Sequence, residues 1–198
     1  SLHLVFFGIA WPLPHIIEDH KMLRVGITGI GFMGWIHWLA YQRVADVEVV
    51  AICTRDAKKR QGDWTSIQGN FGPPGEQVDL SNITCYESLD DMLDDPNVDL
   101  VDVCLPPYLH EEATRKACAA GKHVFCEKPM ALTDESCVNM LEAGRASGTQ
   151  IFVGQVVPFF PEYRYVYENA VEGGKYGEFL GGHFKRFISD PAWLEDFY

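Results

Sequence analysis

The chain has 198 residues, 47% of them hydrophobic and 22% charged, with a formal net charge of −12 at pH 7. That composition suits one well-buried domain and part of another. The negative balance argues against nucleic acid or an anionic membrane as a partner, since both need clustered Lys and Arg, and it fits a solvated acidic surface.

Residues 1–21 open with an apolar run, Leu4 to Trp11, far too short to span a bilayer. It lacks the basic flank and clear small-residue cleavage site of a secretory leader, so an extension outside the fold is expected, with a cleaved leader as the alternative. Met22 then leads into Leu23–Thr28, a strand, and Phe32–Val44, a helix. A second strand is expected at Val47–Ile52 and a short helix at Asp56–Gln61. The stretch from Trp64 to Asn82, broken by Gly69, Gly72, Pro73, Pro74 and Gly75, reads as a long surface loop. A short strand at Ile83–Tyr86 precedes a helix with Ser88 as its cap and Asp90 and Asp91 in its first turn.

Leu100–Leu105 is an apolar strand interrupted only by Asp102, whose buried carboxylate needs donors that the sequence does not name. A helix over Tyr108–Ala120 ends at Gly121, and His123–Cys126 is the next strand. Thr133–Ser147 is a helix closed by Gly148, followed by a strand at Ile151–Gly154. Apolar strands alternating with helices specify a Rossmann-type doubly wound α/β fold, a parallel sheet covered on both faces, over residues 22–154. From residue 155 the character changes. Pro158–Glu172 is aromatic-rich and helical in pattern, and Phe179–Ile188 reads as a strand. One helix and one strand cannot bury their own faces, so residues 155–198 are expected to begin a second, α+β domain for substrate binding and oligomerisation.

The six cysteines, Cys53, Cys85, Cys104, Cys118, Cys126 and Cys137, show no C-x-x-C pair or metal spacing. They read as reduced, mostly buried thiols, with no metal expected and a cytoplasmic location implied.

Gly29-Ile30-Gly31-Phe32-Met33-Gly34 matches G-x-G-x-x-G between a predicted strand and a predicted helix, the context in which that pattern means dinucleotide binding. Gly29 permits the turn, Gly31 admits the pyrophosphate, and Gly34 lets helix and strand pack closely. The amides that open the helix, around Phe32 and Met33, supply donors to phosphate. At the end of the second strand an acidic residue would favour NAD. Here stand Thr54 and Arg55, with Asp56 displaced, so the cofactor is read as NAD or NADP with a lean to NADP through Arg55. The alternative for Arg55 is an ordinary solvated side chain. His37, beside Trp35 and Trp38, reads as packing.

Two later stretches complete a pattern: Leu105-Pro106-Pro107-Tyr108-Leu109-His110, and Ala120-Gly121-Lys122-His123-Val124 running into Glu127-Lys128-Pro129. With the glycine motif, in this order and spacing, the chain resembles the glucose–fructose oxidoreductase/inositol dehydrogenase (Gfo/Idh/MocA) family over residues 22–198. The resemblance implies an NAD(P)-dependent oxidoreductase acting on a secondary hydroxyl or carbonyl of a sugar or polyol, homo-oligomeric when full length. It implies that Lys128 is catalytic, reaching the reacting oxygen beside the nicotinamide, where an ammonium would stabilise alkoxide charge. Glu127 would orient the lysine or the cofactor ribose, and the Leu105–Pro106 loop with His110 would lie beside the nicotinamide. His110 is as readily a helix-end histidine bonded to backbone, and Glu127 and Lys128 a surface ion pair. Gln155 and Arg164 fall in the segment that lines the substrate cleft, and Gly177-Glu178-Phe179 matches the approach to the second-domain sheet. After Asp190-Pro191-Ala192-Trp193 no Asp-x-x-x-His follows, so the family's proton-transfer pair is expected beyond Tyr198. An NAD-dependent glycosidase of the same family and a non-catalytic dinucleotide-binding regulator are the competing readings.

Overall fold

A computed structural model describes residues 22–183 together with 185 and 187. The extension at 1–21 and the Asp190–Trp193 segment lie outside the described residues.

Six strands, β1 (Leu23–Thr28), β2 (Val47–Cys53), β3 (Thr84–Tyr86), β4 (Leu100–Val103), β5 (His123–Cys126) and β6 (Ile151–Val153), form one sheet in the order β3-β2-β1-β4-β5-β6. Every pairing is parallel. That order reverses direction at β1, which places a crevice at the carboxyl end of the sheet between β1 and β4. At the opposite edge Arg24 grips Asp99 through Nε and Nη2 at 2.8 and 2.7 Å, fixing the start of β1 against β4.

The helices are α1 (Phe32–Tyr41), α2 (Ala57–Arg60), α3 (Leu89–Leu93), α4 (His110–Ala119), α5 (Asp134–Ser147) and α6 (Pro161–Val166). Strand residues alternate between two cores. Val101, Val103, Val124 and Cys126 meet Met92, Ala113, Ala117 and Met140 from α3, α4 and α5. Val25, Ile27, Ile52 and Leu100 meet Trp35 and Trp38 of α1 together with Trp64, Ile67 and Val78. The last three correct the reading of Trp64–Asn82 as a mere surface loop. Trp64 is fully buried, stands edge-on to Trp35 and Trp38, and donates its Nε1 to the Lys59 carbonyl at 2.8 Å. Trp35 in turn donates Nε1 to the Pro73 carbonyl at 2.9 Å, so the glycine- and proline-rich stretch is sewn over α1.

Helix ends follow local chemistry. Thr133 caps α5 by accepting from the Ser136 amide, and Gly148 closes it in the left-handed region at φ 71°. Asp56 caps α2 by accepting from the Lys58 and Lys59 amides. Ser88 precedes α3 but makes no side-chain cap, and α1 ends at Tyr41 rather than Val44. The expected helix at Pro158–Glu172 is broken into a 3-10 turn at Val157–Phe159, α6, and a wider-wound turn at Tyr167–Glu172. Residues 179–183 carry no regular structure, so the strand expected at Phe179–Ile188 is not seen among its described residues. A run of exposed apolar side chains, including Phe159, Tyr165, Tyr176 and Phe179, marks the change of character after Gly154. No helix among the described residues is long and apolar enough to cross a membrane, and all six cysteines are free.

Candidate cofactor and catalytic site

The turns that leave the strands lie side by side along the carboxyl edge, because the sheet ladder continues into them. Gly29 N–H donates to the Cys53 carbonyl at 3.0 Å, Cys104 N–H to Thr28 at 2.9 Å, Glu127 N–H to Val103 at 3.0 Å and Gly154 N–H to Cys126 at 2.8 Å. The glycine turn, the 104–106 loop and the Glu127–Pro129 turn are therefore consecutive neighbours.

Each glycine of the motif meets a different demand. Gly29 sits at φ 90°, and a Cβ there would come within 2.5 Å of the Cys104 carbonyl oxygen. A Cβ on Gly34 would collide with the carbonyl oxygen of Gly29, so the helix seats directly on the turn. At Gly31 a Cβ would meet nothing within 4 Å: the space in front of this residue is open. Gly31 is also the N-cap of α1, whose opening amides at Phe32, Met33 and Gly34 have no partner within the helix. An open approach, free donors and a helix dipole are what a diphosphate requires. The Phe32 ring meets Phe71 edge-on at 4.8 Å, roofing this turn with the sewn-down loop.

At the end of β2, Thr54 Oγ1 accepts from the Asp56 amide at 3.3 Å and Arg55 is exposed. The Asp56 carboxylate is engaged in capping α2. Lys59, which sequence reading passed over, extends its ammonium back to the Ile30 carbonyl at 2.7 Å, placing a cation on the glycine turn itself. Spacing alone could not show this, because the reach depends on how α2 leaves β2.

The second half of the site is the turn after β5. The Lys128–Pro129 peptide is cis, and Lys128 is exposed. Glu127 is 5% exposed and turns inward. Its Oε2 accepts from the Lys128 amide at 3.1 Å and its Oε1 from His37 Nε2 at 3.0 Å. Its contact with Lys128 is thus to the main-chain amide. Burial pushes its carboxyl up, but the His37 hydrogen bond and charge outweigh that and hold it below the usual range. His37 is a correction: it is no packing residue but lies between Asp102 Oδ2 at 2.8 Å and Glu127. The donors for Asp102 are thereby identified as His37, the Tyr41 hydroxyl at 3.0 Å and the Cys104 thiol at 3.5 Å. Burial pulls His37 down, yet its bonds to Asp102, Cys104 and Glu127 raise it well above the ordinary imidazole value.

His110 follows the second of its two expected readings, a helix-end histidine on backbone. It is fully buried, and its Nε2 and Nδ1 lie 2.7 Å from the Leu105 carbonyl and 2.8 Å from the Pro129 carbonyl. With both nitrogens on backbone carbonyls, it ties the loop after β4 to the loop after β5. Leu105 is half-buried against the α4 side of the core, and Pro106 is exposed at the crevice. Gln155 is exposed just past β6, while Arg164 on α6 is exposed and paired with Glu168 at 2.6 Å. A surface depression of about 830 Å³ between α4 and α5, lined by Tyr108, Glu111 and Arg115 among others, includes none of these residues.

A profile of the oxidoreductase family with an NAD-binding Rossmann fold, GFO_IDH_MocA, matches residues 23–155. The 2,7-anhydro-N-acetylneuraminate hydratase of Escherichia coli (strain K12) is 41% identical over 165 residues, 83% of this chain and 40% of that protein. The inositol 2-dehydrogenase/D-chiro-inositol 3-dehydrogenase of Lactiplantibacillus plantarum is 33% identical over 149 residues, 74% of this chain and 39% of that protein. Among solved structures, the WlbA dehydrogenase of Bordetella pertussis in complex with NADH and UDP-GlcNAcA superposes with a TM-score of 0.66 at 26% identity, covering 80% of this chain and 42% of that one. The chain thus spans about two fifths of the length of these relatives.

Proposed function

Because the chain belongs to the GFO_IDH_MocA oxidoreductase family, whose match covers the whole sheet, we propose that it serves hydride transfer between a nicotinamide dinucleotide and a secondary hydroxyl or carbonyl of a sugar, polyol or related small molecule. One observation carries the reading. The open glycine turn and the exposed Lys128 stand on the same carboxyl edge of the sheet, bridged only by the Cys104–Pro106 loop. The bound dinucleotide supplies the hydride acceptor. The chain's own residues do the rest. The amides opening α1 hold the diphosphate, and Gly31 leaves it room. Lys128 binds the substrate oxygen: as the amine it accepts the hydroxyl proton while hydride leaves, and as the resulting ammonium it stabilises alkoxide character and returns the proton in the reverse direction. Glu127 fixes the backbone from which Lys128 projects.

For the cofactor, the reading is NADP. Thr54 replaces the carboxylate that would accept a ribose hydroxyl, Asp56 is spent on its helix cap, and Lys59 with Arg55 offers positive charge to a 2′-phosphate. Residues from 155 onward are proposed to begin the substrate and oligomerisation domain, with Gln155 and Arg164 on the substrate side. A second reading is favoured by the 41% identical hydratase: a redox-neutral hydration of an anhydro sugar acid.

Calorimetry with NADP and NAD tests the cofactor reading. Lys59→Met should weaken NADP about tenfold or more, roughly 1.4 kcal/mol, and leave NAD unchanged. Equal loss for both nucleotides would remove Lys59 from the 2′-phosphate. In the longest natural form of the protein, Lys128→Ala should abolish turnover of a sugar and polyol panel while nucleotide affinity persists; unchanged kcat would overturn the role of Lys128.

A further inference from the structure

Parallel strands buried on both faces are normally apolar throughout. β4 carries a carboxylate, Asp102, with no exposed surface. Burying a carboxylate costs several kcal/mol even when paired, and apolar residues of similar size commonly do as well or better for stability. A Leu or Val at positions 37 and 102 would fill the space between α1 and the sheet. What the polar set adds is direction. Asp102 takes three donors from three sides: His37 Nδ1 at 2.8 Å, the Tyr41 hydroxyl at 3.0 Å and, on its other oxygen, the Cys104 thiol at 3.5 Å. That fixes the plane of the imidazole, which the edge of Phe125 supports at 5.5 Å between centroids. The far nitrogen of the ring then points at Glu127 Oε1, 3.0 Å away, and the other oxygen of Glu127 points at the Lys128 amide, 3.1 Å away. Gly154 completes the socket, since a Cβ there would press on Glu127 Oε1 at 3.0 Å.

We infer that His37 and Asp102 are positioning residues: through Glu127 they hold the backbone of Lys128 in place from the far side of the sheet's carboxyl edge. The importance of that hold rests on the proposed placement of Lys128 beside the nicotinamide. Each ring nitrogen of His37 faces one acid, Asp102 or Glu127, while burial chiefly raises the Tyr41 phenol and the Cys104 thiol. Because the ring faces a carboxyl group through each of its two nitrogens, a side chain with a single polar end does not replace it. A glutamine at 37 can bond one carboxylate but carries no charge and cannot bridge the two in line. The anchor acts on one peptide, so its loss is local.

The test is amide hydrogen exchange of the 198-residue chain, read residue by residue by NMR at pH 7, with His37→Gln and, should that variant fold poorly, Asp102→Asn. The Lys128 amide should lose about tenfold or more in protection, while the Val101 and Val124 amides, inside β4 and β5, keep theirs relative to global stability. A uniform loss across all three amides would overturn the inference and make the network merely structural. Unchanged Lys128 protection in both variants would overturn it equally. NADPH and NADH titrations of the wild type run alongside: absence of binding would overturn the dinucleotide reading and leave the anchor standing on the exchange result.

Discussion

His37→Gln should also leave a signature in the pH dependence of stability. In the folded chain the ring is buried, which alone would lower its pKa, but its bonds to Asp102, Cys104 and Glu127 raise it far above that of a free imidazole. A group whose folded pKa is raised contributes fully below its unfolded value, near 6.5, and loses that contribution as pH climbs toward the folded value. One linked proton corresponds to about 1.4 kcal/mol per pH unit, so the wild type should lose on the order of 2 kcal/mol relative to the variant between pH 7 and pH 9. Solvent screening does not blunt the figure, since the His37 side chain is only 13% exposed. Glu127, held below its usual range, gives up its share of stability only as pH falls through its folded value. Urea unfolding of both proteins at half-unit steps from pH 6 to 9 measures the difference directly. Two curves that run parallel across the window would mean that the ring is neutral when folded, and the account of the buried network would fail.

Two further outcomes are expected. Trp64→Ala should destabilise the chain by about 3–5 kcal/mol in urea melts, the usual cost of emptying a large aromatic site, because Trp64 is fully buried against Trp35 and Trp38. A loss under 1 kcal/mol would show that the 61–82 segment is not anchored there. Burial pushes the Cys126 thiol up to about 12, so iodoacetamide at pH 8 should leave it unmodified until the chain unfolds. Rapid native labelling of Cys126, followed by peptide mass spectrometry, would refute its burial.

The sheet was legible because its signals are local. Apolar runs of four to seven residues, Gly121 and Gly148 past helix ends, and Thr133 before a helix each report their own element. The glycine motif was equally readable, since strand, turn and helix are contiguous. What sequence could not show depends on distance across the fold. His37 is separated from Asp102 by 65 positions and from Glu127 by 90, and no periodicity links them. Asp102 itself was the one available clue, an acid where a strand wants an aliphatic, and it left its partners unnamed. Trp64 was hidden by the glycines and prolines around it, which mark a loop but do not say whether one side chain dives into the core. The two readings of His110 could not be separated in sequence, because the choice depends on the carbonyl of Pro129, nineteen positions away. The expected strand after Gly177 has no partner strand among the described residues to complete its hydrogen bonds.

The ring of His110 spans two carbonyls that belong to different crossovers, one after β4 and one after β5. Those crossovers are consequently a single mechanical part. A substitution that displaces Leu105 drags Pro129 with it, and any motion that widens the crevice on this side must move both lips together or break the clasp. The opposite wall, on the Phe71 side, is tied separately, through the bond from Trp35 to the Pro73 carbonyl, so remodelling there leaves the His110 clasp untouched.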